Sequence, residues 1–231
     1  MIMKFTDWVN YKINPSDLWT CAVDPTGNDR DHTYIPLGLS SKPKDYALLT
    51  NHPDVNTKLL FYSFGLKSGM SRKIFKGNMI NHYADSNHRQ NFKNILDKTY
   101  SMTPLSLDNY FTDIGKYKFN ISPEGNGIDC FRHYETWISK GIPIIEFNSF
   151  IAKKYYGLPI LWTIDYSEIN DNYLTNQYDI ISNKTYDFRK LLLSSYNSNI
   201  QKQILTVSDF PTYTNTAFCG LKTWKYNDHF T

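Results

Sequence analysis

An α/β fold, a parallel sheet flanked by helices, follows from two observations in the 231-residue sequence. Residues 116–148, KYKFNISPEGNGIDCFRHYETWISKGIPIIEFN, run as apolar strand, glycine loop, amphipathic helix and second apolar strand. That order is a βαβ unit, whose two strands lie parallel in one sheet. The runs KLLFYSF at 58–64 and LPILWTI at 158–164 have the length and apolar density of further buried strands.

The remaining elements fall into place around that unit. Residues 1–34 are mixed and aromatic with a Pro-Thr-Gly turn at 25–27, and YIPLGL at 34–39 is a short apolar run broken by Pro36 and Gly38. Residues 40–57 read as a loop around a short segment at 46–50. After the strand at 58–64, Gly65 and Gly69 precede Ser71, Arg72 and Lys73, which open a helix carrying Ile74, Phe75, Met79 and Ile80. A short helix at 106–115 feeds the first strand of the central unit. Within that unit Ile128, Tyr134, Trp137 and Ile138 are spaced to face a sheet, and Gly141 is placed to end the helix. A helix is predicted at 149–156, and leucine and isoleucine spacing predicts two more, at 173–181 and 186–205. Residues 208–231 are polar and aromatic without a period.

The chemistry concentrates in the central loop. The bend at Gly125, Asn126 and Gly127 leaves the carboxyl end of a strand, the edge at which open α/β sheets bind ligands. Two glycines let the backbone turn sharply and a ligand approach the amides. Asp129 suits the N-cap of the helix, whose free amides and dipole favour phosphate or another anion. Arg132 and Glu135 lie three apart and share a face near the helix start. The guanidinium can fork onto diphosphate oxygens, and the carboxylate can accept from a ribose diol. An exposed ion pair between the two is the ordinary reading of an isolated Arg-x-x-Glu. The glycine bend in front and the apolar strand behind favour a ligand site instead. The dinucleotide fingerprint G-x-G-x-x-G is absent, and the acidic residue arrives too early for it.

Eleven positions then carry a resemblance: Ser122, Pro123, Gly125, Gly127, Asp129, Arg132, Tyr134, Glu135, Gly141, Pro143 and Ile144. With these, SPEGNGIDCFRHYETWISKGIPII resembles the donor-binding segment of exostosin-like glycosyltransferases, whose pattern is roughly S-P-x-G-x-G-x-D-x-x-R-x-(W/Y)-E. The resemblance implies the C-terminal, Rossmann-like donor-binding domain of a GT-B enzyme. It implies a nucleotide diphosphate sugar as donor substrate, a glycan or other hydroxyl acceptor, inversion at the anomeric carbon, and neither a catalytic metal nor another cofactor. In that family the matching arginine and glutamate are expected to hold the diphosphate and the ribose, here Arg132 and Glu135. Arg72 becomes a second diphosphate ligand, with Lys76 one turn on read as a solvated helix position. Asp165, at the carboxyl end of the 158–164 strand, either contacts the donor or caps the next helix.

One departure from the family is large. An I-P-x-G segment near its passage between domains matches 35–38. Only a cap or remnant at 1–40 then precedes a nucleotide-sugar-binding domain at 41–206 and a tail at 207–231, where a first domain of ~100–150 residues is usual. No catalytic base is assigned, because in GT-B enzymes it often comes from that first domain. A partner subunit or a second copy would supply the acceptor site. Asp29-Arg30-Asp31 spells the D-x-D of metal-dependent glycosyltransferases, but TGNDRDHT is polar and reads as a solvated loop with a lone His32. His82 and His88, six apart, have no metal-ligand spacing.

Composition bounds the alternatives. A net charge of +3 suits a small anionic ligand and does not argue for nucleic acid. Cys21, Cys130 and Cys219 are widely separated and predict reduced thiols, not a disulfide framework. No apolar run has the length of a bilayer span and MIMKFTDWVNYK is no signal peptide, which together predict a cytoplasmic setting. Abundant Asn, Lys, Ile and Tyr fit an A+T-rich genome, and exostosin-like proteins occur in large DNA viruses as well as in cells, so a viral source agrees with both. The rival function is a noncatalytic nucleotide- or glycan-binding domain working with a partner subunit. A nicotinamide or methyl-donor enzyme, a third reading, lacks its glycine fingerprint.

Overall fold

The computed structural model describes residues 1–19, 38–39, 46–66, 88–102, 105–124 and 129–208. Among them the chain runs β1 (Ile2–Lys4), α1 (Phe5–Asn10), α2 (Tyr46–Thr50), β2 (Lys58–Phe61), α3 (His88–Leu96), α4 (Leu107–Asp113), β3 (Tyr117–Ile121) and α5 (Phe131–Ile138). It continues through β4 (Ile142–Glu146), α6 (Ser149–Lys154), β5 (Leu161–Thr163), α7 (Asp171–Ser182), β6 (Thr185–Asp187) and α8 (Ser198–Ser208).

Strands β2, β3, β4 and β5 form one parallel sheet in that order. Leu60 lies beside Phe119 and Phe119 beside Ile142; one turn of pleat further on, Ile121 lies beside Ile144 and Ile144 beside Leu161. Residues of both parities are buried in the middle strands: Phe119, Ile121, Ile142 and Ile144 at 0%, Asn120 and Ile145 at 1%. Side chains alternate between faces along a strand, so both faces of the sheet are covered, as parallel sheets require. The βαβ unit is thus β3-α5-β4. Its strand and helix are tied by the Asn120 amide, which donates to Thr136 Oγ1 at 2.7 Å, while that hydroxyl donates to Arg132 O at 2.6 Å.

A second, two-stranded sheet pairs β1 antiparallel with β6, Met3 opposite Tyr186. It carries the amino terminus into the same hydrophobic core as the parallel sheet. Phe5 and Trp8 are fully buried; the Trp8 ring stacks on Phe188 at 4.2 Å and its Nε1 donates to Trp137 O at 3.0 Å.

Three expectations need correction. The helix predicted at 186–205 is divided into β6, two 3-10 turns (Phe188–Leu191 and Leu193–Ser195) and α8. The backbone at 185–187 is taken by pairing with β1, and Leu191, Leu192 and Leu193 are all buried in succession, which a one-faced helix cannot do. Helix α5 ends not through a left-handed Gly141 but through Lys140, at φ 73°. Gly141 serves close approach: a Cβ there would stand 3.1 Å from Thr136 Cγ2 and 3.2 Å from Tyr117 O. Finally, α3 forms at 88–96, where the sequence predicts no element. The helix predicted from Ser71, the tail from 209 onward, Asp29, Asp31, His32 and His82 lie outside the described residues.

Candidate functional site

The carboxyl edge of the parallel sheet gathers the polar side chains of the central unit. Ser122, Pro123 and Glu124 leave β3 there, and the chain returns at Asp129 to start α5. Gly125, Asn126 and Gly127, and also Arg72, lie outside the described residues.

Asp129 is buried, 3% exposed, and does not cap the helix. The N-cap is Cys130, without a side-chain cap bond. The Asp129 carboxylate goes instead to stronger donors: the Lys154 ammonium and the Tyr134 hydroxyl meet Oδ2, and the Tyr155 hydroxyl meets Oδ1. An ammonium offers a charge-assisted bond that a backbone amide cannot match. Tyr155 also lies 2.8 Å from His133 Nδ1, and His133 Nε2 lies 3.2 Å from Ser122 O. A carbonyl only accepts, so Nε2 carries the proton of the neutral ring, and Nδ1 and Asp129 Oδ1 are two acceptors for the single Tyr155 hydroxyl proton. Burial pulls His133 down to about 4, against the nearby Asp129 carboxylate, so the imidazole is neutral at pH 7. Through Tyr155 and His133 the residues on both sides of 125–128, Ser122 and Asp129, are anchored to one buried network.

Tyr110 of α4 reaches both Arg132 and Glu135. Its hydroxyl donates to Glu135 Oε2 at 2.9 Å, and the Arg132 guanidinium carbon lies 5.6 Å from its ring centroid. Burial and the Glu135 carboxylate push the Tyr110 hydroxyl well above its usual range, so it remains a donor. Glu135 is 4% exposed, whereas Arg132 is half-buried and its Nε has no hydrogen-bond partner among the described residues.

Asp165 is exposed and caps a 3-10 turn, Tyr166–Glu168. Its Oδ1 accepts from Ser167 N at 2.8 Å and its Oδ2 from the Ser167 hydroxyl at 2.6 Å. The cap it forms belongs to that turn, and the next helix, α7, is capped by Asn170. Burial pushes the Cys130 thiol up to about 12, well away from nucleophilic use at neutral pH.

Sequence reasoning missed Arg89 and Glu146. Arg89 of α3 is buried against the backbone that leaves β2 and β3, and Glu146 closes β4 with Oε2 accepting from Glu124 N at 3.3 Å. Phe92, Ile95 and Leu96, spaced three and one apart, were the helical signal that could have placed Arg89 on an element. Nothing local announces its carbonyl partners. Among the described residues no group of three His, Cys, Asp or Glu side chains is placed to hold a metal ion, and no helix is long and apolar enough to cross a membrane.

Fold and site together define a class: an α/β protein of generic Rossmann-like topology with a cationic helix start at its carboxyl edge. A scan against protein-family models and a search of curated proteins both find no match to this chain.

Proposed function

We propose that this chain is a GT-B-type glycosyltransferase that transfers a sugar from a nucleoside diphosphate sugar to a hydroxyl acceptor. The observation that carries the reading is Arg132. It stands in the first turn of α5 at the carboxyl edge of a parallel sheet, half-buried against Tyr110, with its Nε unpartnered among the described residues. A guanidinium so placed suits the diphosphate of a departing nucleotide. In the reaction the acceptor oxygen bonds to the anomeric carbon as the bond from that carbon to the phosphate oxygen breaks. The acceptor proton passes to a base, and the nucleoside diphosphate leaves with the bonding electrons. Arg132, with Arg72 and the 125–127 amides, would balance its charge, and Glu135 would meet the ribose.

Calorimetric titration of the chain with UDP, GDP and their sugars tests the assignment. Arg132→Ala should weaken nucleoside diphosphate binding by roughly 10- to 150-fold, the loss of one charge-assisted contact. An unchanged dissociation constant would count against it. Chelator should leave transfer intact; a loss restored by manganese would shift attention to Asp29 and Asp31.

A second reading, a noncatalytic domain that binds the nucleotide beside a partner subunit, draws on the engagement of Asp129 and Glu135 within the chain. Both are buried and hydrogen-bonded, so neither carboxylate is presented as a base. Release of nucleoside diphosphate from a bound nucleotide sugar separates the two: turnover by the chain alone supports the transferase.

A further inference from the structure

Arg89 lies in the first turn of α3 and is 8% exposed. Its Nε donates to Glu124 O at 2.7 Å, its Nη2 to Pro123 O at 3.2 Å and its Nη1 to Gly65 O at 2.6 Å. Gly65 follows β2, and Pro123 and Glu124 follow β3, its neighbour in the sheet. One guanidinium therefore bridges the carboxyl ends of two adjacent strands. The Phe64 ring lies 5.8 Å from its carbon. Pro123 O is also met by Cys130 Sγ at 3.8 Å, and Cys130 is the N-cap of the helix that carries Arg132. Burial, and next the charge of Arg132, lower Arg89 to about 10, so it remains a cation at neutral pH.

We infer that Arg89 is a positioning residue for the site at this edge. It spends its fork on backbone carbonyls, so it does not serve as the ligand arginine. It fixes the backbone at 65 and at 123–124, and through Pro123 it sets the N-cap from which Arg132 projects. A lysine in its place keeps the charge but has no planar fork, so it cannot reach three carbonyls on two strand ends at once. The positioning of Arg132 for a diphosphate rests on the function proposed above; the clamp itself does not.

The test therefore has a ligand-free arm and a ligand arm, both on the full chain. Amide hydrogen exchange of Arg89→Lys should rise roughly tenfold or more in peptides covering 62–66 and 120–124 while β4 and α7 keep their protection. Unchanged exchange there, or an equal rise in every element, would overturn the clamp. In the unmutated chain the Arg89 Nε proton should give a resolved, slowly exchanging nitrogen-15-coupled signal at pH 7. Rapid exchange with water would overturn the clamp even if the variant failed to fold. In the ligand arm, Arg89→Lys should weaken UDP binding roughly fivefold or more, and the double variant with Arg132→Ala should bind no more weakly than Arg132→Ala alone. Additive losses would show that Arg89 does not act through Arg132. A chain that binds no nucleoside diphosphate at all defeats the proposed function and leaves the exchange result to decide the clamp.

Discussion

Two buried cations stand at opposite edges of the parallel sheet and are satisfied in opposite ways. Arg89, 8% exposed at the carboxyl edge, gives its nitrogens to three backbone carbonyls. Lys140, 4% exposed just before β4 at the amino edge, has no hydrogen-bond partner for its ammonium among the described residues. It has rings: the Trp8 centroid lies 3.8 Å away and the Tyr11 centroid 5.6 Å. Ring faces return about 2 kcal/mol or more to a desolvated cation, set against the several kcal/mol that burial removes. Burial accordingly pulls Lys140 down to about 7, whereas Arg89 stays near 10. Lys190 is an intermediate case, an ammonium bonded to Lys154 O and Tyr156 O and also lowered to about 7. The carboxyl edge is thus organised around directed polar bonds, and the amino edge around shape.

Removing Trp8 should break the amino edge most severely. Trp8→Ala deletes a fully buried ring stacked on Phe188 and uncovers Lys140, and we expect a loss of about 3–5 kcal/mol in denaturant unfolding. A loss under about 1 kcal/mol would mean that the amino-terminal segment adds little to the core.

Lys140→Met tests whether the buried charge is a burden. It should stabilise the chain at pH 6–7 by on the order of 1–3 kcal/mol, the scale of an uncompensated polar burial. Unfolded Lys140 holds its proton to about 10.5, while the folded residue releases it near 7. Between these values the unfolded state binds more protons, so stability rises with pH across that window. Lys190 contributes in the same direction, and Lys140→Met should flatten the rise without abolishing it. Above about pH 10 the trend reverses, because buried tyrosines such as Tyr110 and Tyr155 resist the ionisation that their unfolded forms undergo.

The carboxyl edge should titrate in a different window. His133 is held neutral by burial, opposed by Asp129 and Ser122 O and aided by Arg132 and Lys154. Its folded value of about 4 lies below the ordinary 6.5, so its contribution is present above 6.5 and is lost as the pH falls towards 4. Replacing it, as in His133→Gln, should shallow the acid limb of the stability profile and leave the alkaline limb of Lys140 in place. The smallest effect is expected from Arg132→Ala, within about 0.5 kcal/mol in stability, since the half-buried guanidinium leaves its Nε unpartnered among the described residues. A large loss would make Arg132 a structural cation like Arg89 and erase the contrast between them.

The legible parts of this chain are those in which a residue's neighbours in space are also its neighbours in sequence. In the central unit β3 and β4 fall where apolar runs predicted them, and Trp137 and Ile138 face inward as their spacing required. Ser106 caps α4 by accepting from Asn109 N, and α6 lies within its predicted range. At the candidate site, the approach of Arg132 and Glu135 to one face was readable, but the Tyr110 that reaches both was not, because it comes from another helix. Asp129 looked like a cap because its local sequence offered amides; Lys154 and Tyr155, twenty-five and twenty-six residues on, took it.

By itself the sequence determined the α/β class, the order of the four parallel strands along the chain and the βαβ unit with its cationic helix start, because periodicity and turn chemistry act over a few residues. Only the tertiary structure decided that 185–187 is a strand, since its partner lies at residues 2–4. It also decided that Lys140 and not Gly141 takes the left-handed turn, and that Arg89 ties two strand ends together. Each of these depends on a backbone carbonyl or a ring brought from a distant part of the chain. Carbonyls are the same at every residue and leave no mark in a sequence, so the bonds they accept become visible only once the fold has placed them.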